Sequence, residues 1–205
     1  MSGEPADEAG TLAVIACGAL SSAVRAAARQ LERPVELHVL SALLHDRPAE
    51  IPPAVEELAR RLSAEGKEVV LAYADCGTYG VLDDLCARLG LRRLPGLHCY
   101  DLLAGPARVA ELLEQEAGSY LLTDFLVRSF ERTVVAGLGL DAHPELVADY
   151  FAHYKRVVWL RESPDDELAA KARAVAERLG LELETLEVGS QPLASELLNL
   201  LEAPR

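Results

Sequence analysis

At 205 residues the chain has room for one generous domain or two small ones, each with a core of its own. Half of the residues are hydrophobic and 26% are charged, which excludes a disordered chain. Twenty Lys and Arg against 33 Asp and Glu leave a formal net charge of −13, so a phosphate backbone would be repelled and nucleic acid is disfavoured as a partner.

The first ten residues hold Glu4, Asp7 and Glu8 with no basic residue, unlike a signal peptide, and residues 1–11 read as a disordered leader. The apolar run Leu12–Leu20 is far shorter than the ~18–20 residues that cross a bilayer. No membrane association and a cytoplasmic location are therefore expected, with the four cysteines kept as thiols.

Leu12 to Ala16 is a continuous apolar run, the mark of a strand buried on both faces. Leu20, Val24, Ala27 and Leu31 follow at helical spacing up to Pro34, and Val35 to Leu40 is a second strand. Pro52 and Pro53 open a helix striped by Val55, Leu58, Ala59 and Leu62 that ends near Gly66, and Val69 to Ala74 is a third strand. A helix over Val81–Leu89 closes at Gly90, Leu91–Leu94 is extended, Pro95-Gly96 turns, and a helix runs from Leu102 to Glu116.

Ser119–Leu122 reads as a strand, Phe125–Phe130 as a helix and Thr133–Gly139 as a strand. A helix from Pro144 to Tyr150, a strand over Arg156–Leu160, a helix marked by Leu168, Ala172, Val175 and Leu179, a strand over Glu182–Val188 and a helix over Leu193–Leu201 complete the chain. Strands alternating with helices predict an α/β, Rossmann-like fold with mainly parallel sheets covered on both faces. Two related halves are expected, residues 12–117, which carry Cys17, Cys76 and Cys99, and residues 118–205.

Cys17 and Cys76 each follow a predicted strand and precede a glycine and a helix, and Cys99 follows a short extended run. Such positions lie at the carboxyl edge of a parallel sheet, where ligands bind and helix dipoles favour a thiolate. Cys86 falls inside a helix beside Leu82 and Leu85 and reads as a small core residue. The spacings of 59 and 23 residues between Cys17, Cys76 and Cys99 match no paired zinc-finger or ferredoxin pattern. Three converging thiols suit zinc, with His45 or His98 as a fourth ligand, or a [4Fe–4S] cluster with one iron open to substrate; three separate core cysteines are the alternative.

Around these thiols, Asp75 and Asp124 are candidates to handle a proton, Arg47 to orient an anionic group and His45 to act in catalysis. Thr123-Asp124 also reads as a helix entry, and Arg47 as one half of an ion pair with Asp46. Gly137-Leu138-Gly139 lacks the third glycine of a dinucleotide fingerprint, and neither a P-loop nor a serine-hydrolase elbow is present. The expected function is a metal- or cluster-dependent enzyme acting on a small polar substrate, as a lyase, desulfurase or methyltransferase. A non-catalytic metal-binding protein is the competing reading. Tyr150, Phe151, Tyr154 and Trp159, four of the ten aromatic residues, predict internal packing first and a homodimer interface second.

Ala16-Cys17-Gly18-Ala19-Leu20, Leu44-His45-Asp46-Arg47-Pro48, Ala74-Asp75-Cys76-Gly77 and Pro95-Gly96-Leu97-His98-Cys99-Tyr100 resemble the domain-of-unknown-function family 1638. Leu122-Thr123-Asp124-Phe125-Leu126, Gly137-Leu138-Gly139-Leu140-Asp141, His143-Pro144-Glu145-Leu146 and Tyr154-Lys155-Arg156 extend the resemblance over about residues 12–188. It implies no activity, but it does imply a setting beside corrinoid-dependent methyl-transfer proteins, either as partners or with this chain as a zinc-binding accessory. A looser, architectural resemblance is to quinolinate synthases and sulfur-removing cluster enzymes, which hold a [4Fe–4S] cluster by three distant cysteines.

Overall fold

The computed structural model describes residues 11–31, 33–189 and 191–202, with residues 201 and 202 as backbone only. The acidic leader expected before residue 12 lies outside them except for Thr11. The chain divides into two compact units, one reaching Pro95 and including the stretch from Leu197, the other Gly96–Glu196.

The first unit is built on β1 (Leu12–Cys17), α1 (Ser21–Ala28), β2 (Val35–Leu40), α2 (Ile51–Ala64), β3 (Glu68–Ala72), α3 (Val81–Leu89) and the two-residue β4 (Arg92–Arg93). All pairings are parallel in the order β2-β1-β3-β4, which puts β1 at the centre. All six residues of β1 are buried, as its unbroken apolar run requires of a strand covered on both faces. α2 starts with Pro52 and Pro53 in its first turn, where their missing N–H groups cost nothing, and buries Val55, Leu58, Ala59 and Leu62 on one side. Each buried valine or leucine of this kind contributes about 1.5–3 kcal/mol.

The second unit holds α4 (Cys99–Ala104), α5 (Pro106–Gln115), β5 (Ser119–Thr123), α6 (Asp124–Phe130), α7 (Leu146–Tyr150), β6 (Arg156–Arg161), α8 (Asp166–Leu179) and β7 (Glu182–Glu187). Its sheet is parallel throughout in the order β5-β6-β7. α9 (Gln191–Glu202) ends the described chain. Trp159 of β6 is buried in a core with Leu122, Phe130, Leu168 and Ala172. Phe151 and Tyr154 pack on Tyr120 with ring centroids 5.3 Å away in both cases, so most of the late aromatic segment is internal packing, while Tyr150 is half-exposed. Two parallel sheets with helices give the α/β, Rossmann-like class expected.

Two expectations are corrected. Thr133–Gly139 is not a strand: residues 131–135 form a π-helical turn, with the Ala136 N–H bonded to the Glu131 carbonyl and the Thr133 hydroxyl donating to the Ser129 carbonyl. Its two valines bury themselves from a helical turn, so β-branching misled. The helix expected over Leu102–Glu116 is two, broken where Gly105 takes φ 84° and Pro106 opens the next. In the second unit Val109, with Tyr100, Ala104 and Leu112, packs on Leu121, Val158 and Leu160 of its sheet. Among the described residues no helix is long and apolar enough to cross a membrane.

Candidate thiol and imidazole site

Parallel strands bring their carboxyl ends to one edge, and in the first unit that edge gathers side chains from the ends of β1, β2 and β3. Cys17 is the last residue of β1, and Tyr73 comes directly after β3, each one position beyond the paired Ala16 and Ala72. Cys76 lies three residues further, in a loop where it adopts φ 53° and Gly77 φ 82°. His45 sits on the short 3₁₀ turn Ala42–Asp46 that follows β2.

Gly18 explains how that turn comes so close. A Cβ at this position would stand 3.0 Å from both the Ala42 nitrogen and the Leu40 oxygen, so only glycine lets the chain after β2 fold down over the end of β1. On the other side the Cβ direction of Gly77 faces Pro48 at 3.4 Å, seating the Cys76 loop against the segment after His45.

The Cys17 sulfur accepts from the Ala19 N–H at 3.3 Å, capping the 3₁₀ turn Gly18–Leu20. It stands 3.8 Å from Nε2 of His45, whose Nδ1 lies 2.8 Å from the Ala42 carbonyl oxygen. A carbonyl can only accept, so Nδ1 carries a proton and Nε2 is the nitrogen left for chemistry. Hydrogen bonds to Cys17 and then Cys76 draw the imidazole up to about 11, against burial, which opposes the charge. The site thus favours a positive charge between two sulfurs. Tyr73 stacks on His45 with centroids 6.4 Å apart; its fully buried hydroxyl lies near the Cys17 sulfur without making a proper hydrogen bond. Burial first, then the two sulfurs, push this phenol far above its ordinary value.

A tetrahedral zinc ion with Zn–S near 2.3 Å and Zn–N near 2.0–2.1 Å separates a thiolate from an imidazole nitrogen by about 3.6 Å. The 3.8 Å between Cys17 and His45 matches that span, and an imidazole tied by its other nitrogen to a backbone carbonyl is the usual state of a metal-bound histidine. The donors are not yet a closed ligand set: among the described residues no group of three or more His, Cys, Asp or Glu stands ready to hold an ion. The donor types, two thiols and an imidazole, are the soft set that zinc takes.

The other expected residues are placed as follows. Asp75 is buried and wholly engaged in its loop, with Oδ1 accepting from the Thr78 hydroxyl and the Gly80 N–H and Oδ2 from the Tyr79 N–H. Burial raises its carboxyl, and these donors together outweigh it, so the group sits low and ionised. Arg47 is largely exposed and pairs with Glu50 at 2.9 Å, not with Asp46. Cys99 opens α4 in the second unit, and His98 precedes it, exposed, with its N–H donating to Asp101. Cys86 is buried in α3, where burial pushes its thiol up to about 11.

Asp124 is buried at the start of α6, where Thr123 provides the N-cap, and its Oδ1 accepts from the Trp159 indole at 2.9 Å. Glu162, just after β6, went unnoticed in the sequence. Burial and then the Asp124 charge push it up to about 7. Tyr73 was also missed; the available signal was an aromatic with a polar tip inside the aliphatic run Val69–Ala74.

Comparison with curated proteins and with solved structures finds no match to the chain. A family model described as "Protein of unknown function (DUF1638)" matches residues 39–197, a span that includes His45, Tyr73, Cys76 and Cys99 and begins after Cys17. With well over half of its length matched, the chain belongs to the DUF1638 family.

Proposed function

We propose that this protein is a zinc-dependent enzyme in which Cys17, Cys76 and His45 hold the ion and a small polar substrate takes the remaining position. The observation that carries the reading is the 3.8 Å approach of Cys17 to an imidazole whose other nitrogen is locked on the Ala42 carbonyl. Zinc with three protein ligands supplies Lewis acidity to whatever occupies its fourth position. The chain's own residues orient and shield: Ala42 fixes the imidazole, the buried end of β1 keeps water from Cys17, and Asp75 holds the turn that presents Cys76. Thiols held for metal binding suit a reducing, cytoplasmic setting.

A three-cysteine [4Fe–4S] centre makes a different demand, since it calls on Cys99 and needs no imidazole. Anaerobic purification followed by zinc, iron and sulfide analysis separates the two. About one zinc per chain is expected, lost in Cys17→Ser, Cys76→Ser and His45→Asn and retained in Cys99→Ser. About four irons per chain that disappear in Cys99→Ser and persist in His45→Asn would overturn the zinc reading in favour of the cluster.

A further inference from the structure

Adjacent parallel strands end side by side, and two thiols of the first unit stand at such ends. β1 and β3 pair through Ala16 and Ala72, so Cys17, the next residue of β1, and the segment leaving β3 start from strands about 4.8 Å apart. Cys76, four residues past Ala72, returns to the same place, since its sulfur and that of Cys17 both reach the imidazole of His45. With Nδ1 of that ring held by the Ala42 carbonyl, Nε2 is the nitrogen left to the two sulfurs. They therefore converge on one side of one ring.

Their surroundings differ. Cys17 has no exposed surface and ends the central strand of the sheet, whereas Cys76 keeps 8% of its surface and sits in the loop between β3 and α3. An oxidant of a few atoms can touch Cys76, and burial keeps out a bulky disulfide. We propose that Cys17 and Cys76 form a redox pair, in which hydrogen peroxide oxidises Cys76 and Cys17 then closes an intramolecular disulfide with it. The inference needs no metal ion and goes beyond the zinc reading; where zinc is bound, the same bond takes both sulfurs from it.

In the first step the Cys76 sulfur attacks one peroxide oxygen and the O–O bond breaks, giving a sulfenic acid and one water. In the second the Cys17 sulfur attacks the sulfenic sulfur, the S–O bond breaks, and the departing hydroxide takes the Cys17 proton to become a second water. The two thiols lose two electrons and two protons in all, and peroxide is reduced to water.

The test treats the full chain, as purified and again after chelation, with one equivalent of hydrogen peroxide, followed by alkylation in denaturant and peptide mapping without reduction. Titratable thiols are expected to fall from the four of the untreated chain to two, with a Cys17–Cys76 linked peptide that dithiothreitol cleaves and with Cys86 still a thiol. In Cys17→Ser, Cys76 should stop at a sulfenic acid that dimedone traps; in Cys76→Ser, the buried Cys17 should survive as a thiol. Four thiols remaining in wild type, Cys76 over-oxidised to sulfinic acid beside an intact Cys17, or a disulfide to Cys86, to Cys99 or between chains would overturn the proposal. Zinc content of the same samples keeps the two readings apart. A chain that holds no zinc and still forms the bond overturns the zinc reading alone, and a zinc-loaded chain that forms no Cys17–Cys76 bond before or after chelation overturns this one alone.

Discussion

Nε2 of His45 faces the Cys17 sulfur at 3.8 Å while Nδ1, across the ring, is tied to the Ala42 carbonyl at 2.8 Å. The two contacts fix the ring's tautomer and its direction together, so the imidazole cannot serve Cys17 from any other pose. If zinc is the occupant, metal and fold become linked. Adding zinc to 100-fold above its dissociation constant should stabilise the protein by about 2.7 kcal/mol. Chelation should reverse the gain, and His45→Asn should abolish it, as read by thermal melting.

Gly18→Ala is expected to disturb the site without touching any of its polar atoms. The added methyl would press on Ala42 and Leu40, destabilising the protein by about 1–3 kcal/mol. It should also loosen the His45 turn, seen as weaker metal binding in a competition titration. Unchanged zinc affinity in a folded Gly18→Ala protein would show that the close approach at the end of β1 does not set the His45 geometry.

The Asp124–Glu162 pair gives the second unit a pH dependence of definite sign. Glu162 titrates near 7 when folded and near 4.5 when unfolded, so between these values the native state holds a proton that the unfolded chain has lost. Stability should therefore fall as pH rises from about 4.5 to 7 and then level off. Glu162→Gln should remove this slope and add about 1–2 kcal/mol above pH 7, less than the full shift implies because the side chain is only partly buried. Fluorescence of Trp159, the chain's only tryptophan, follows the unit directly because its indole is bonded to Asp124.

Cys86 should behave as a hydrophobic residue. With its thiol pushed up to about 11 by burial, it carries little thiolate at neutral pH, and iodoacetamide should leave it unmodified in the native protein. Cys86→Ala should cost about 1 kcal/mol and leave the metal content of the protein unchanged.

The sheets were legible because both central strands announce themselves. Leu12–Cys17 and Val157–Leu160 are buried along their length, and only a strand covered on both faces tolerates that composition. Strand ends could be read for the same reason, which brought Cys17, Cys76 and the His45 segment into view. What escaped were features that depend on contacts across the fold. Val134 and Val135 look like strand residues until the Ser129 and Thr133 hydroxyls are seen bonded back along a helix. The place of α4 and α5, and with them Cys99, depends on Val109 packing against the second sheet. Tyr73 reads as one more core aromatic unless its hydroxyl is followed to its end, and Glu162 gains its character from burial and then from Asp124, 38 residues away in sequence.

Cys76 occupies a left-handed backbone position, φ 53°, that a residue bearing a Cβ adopts at a cost of about 1–2 kcal/mol and glycine adopts freely. The loop could have turned at this point more easily with no side chain at all. Its sulfur is therefore carried against the preference of the backbone, and the left-handed turn aims the thiol of Cys76 and the carboxylate of Asp75 at different tasks, one toward His45 and the other into the loop's own amides. Two adjacent residues thereby face different ways, and Cys76→Gly would relieve the backbone while taking the sulfur away from His45.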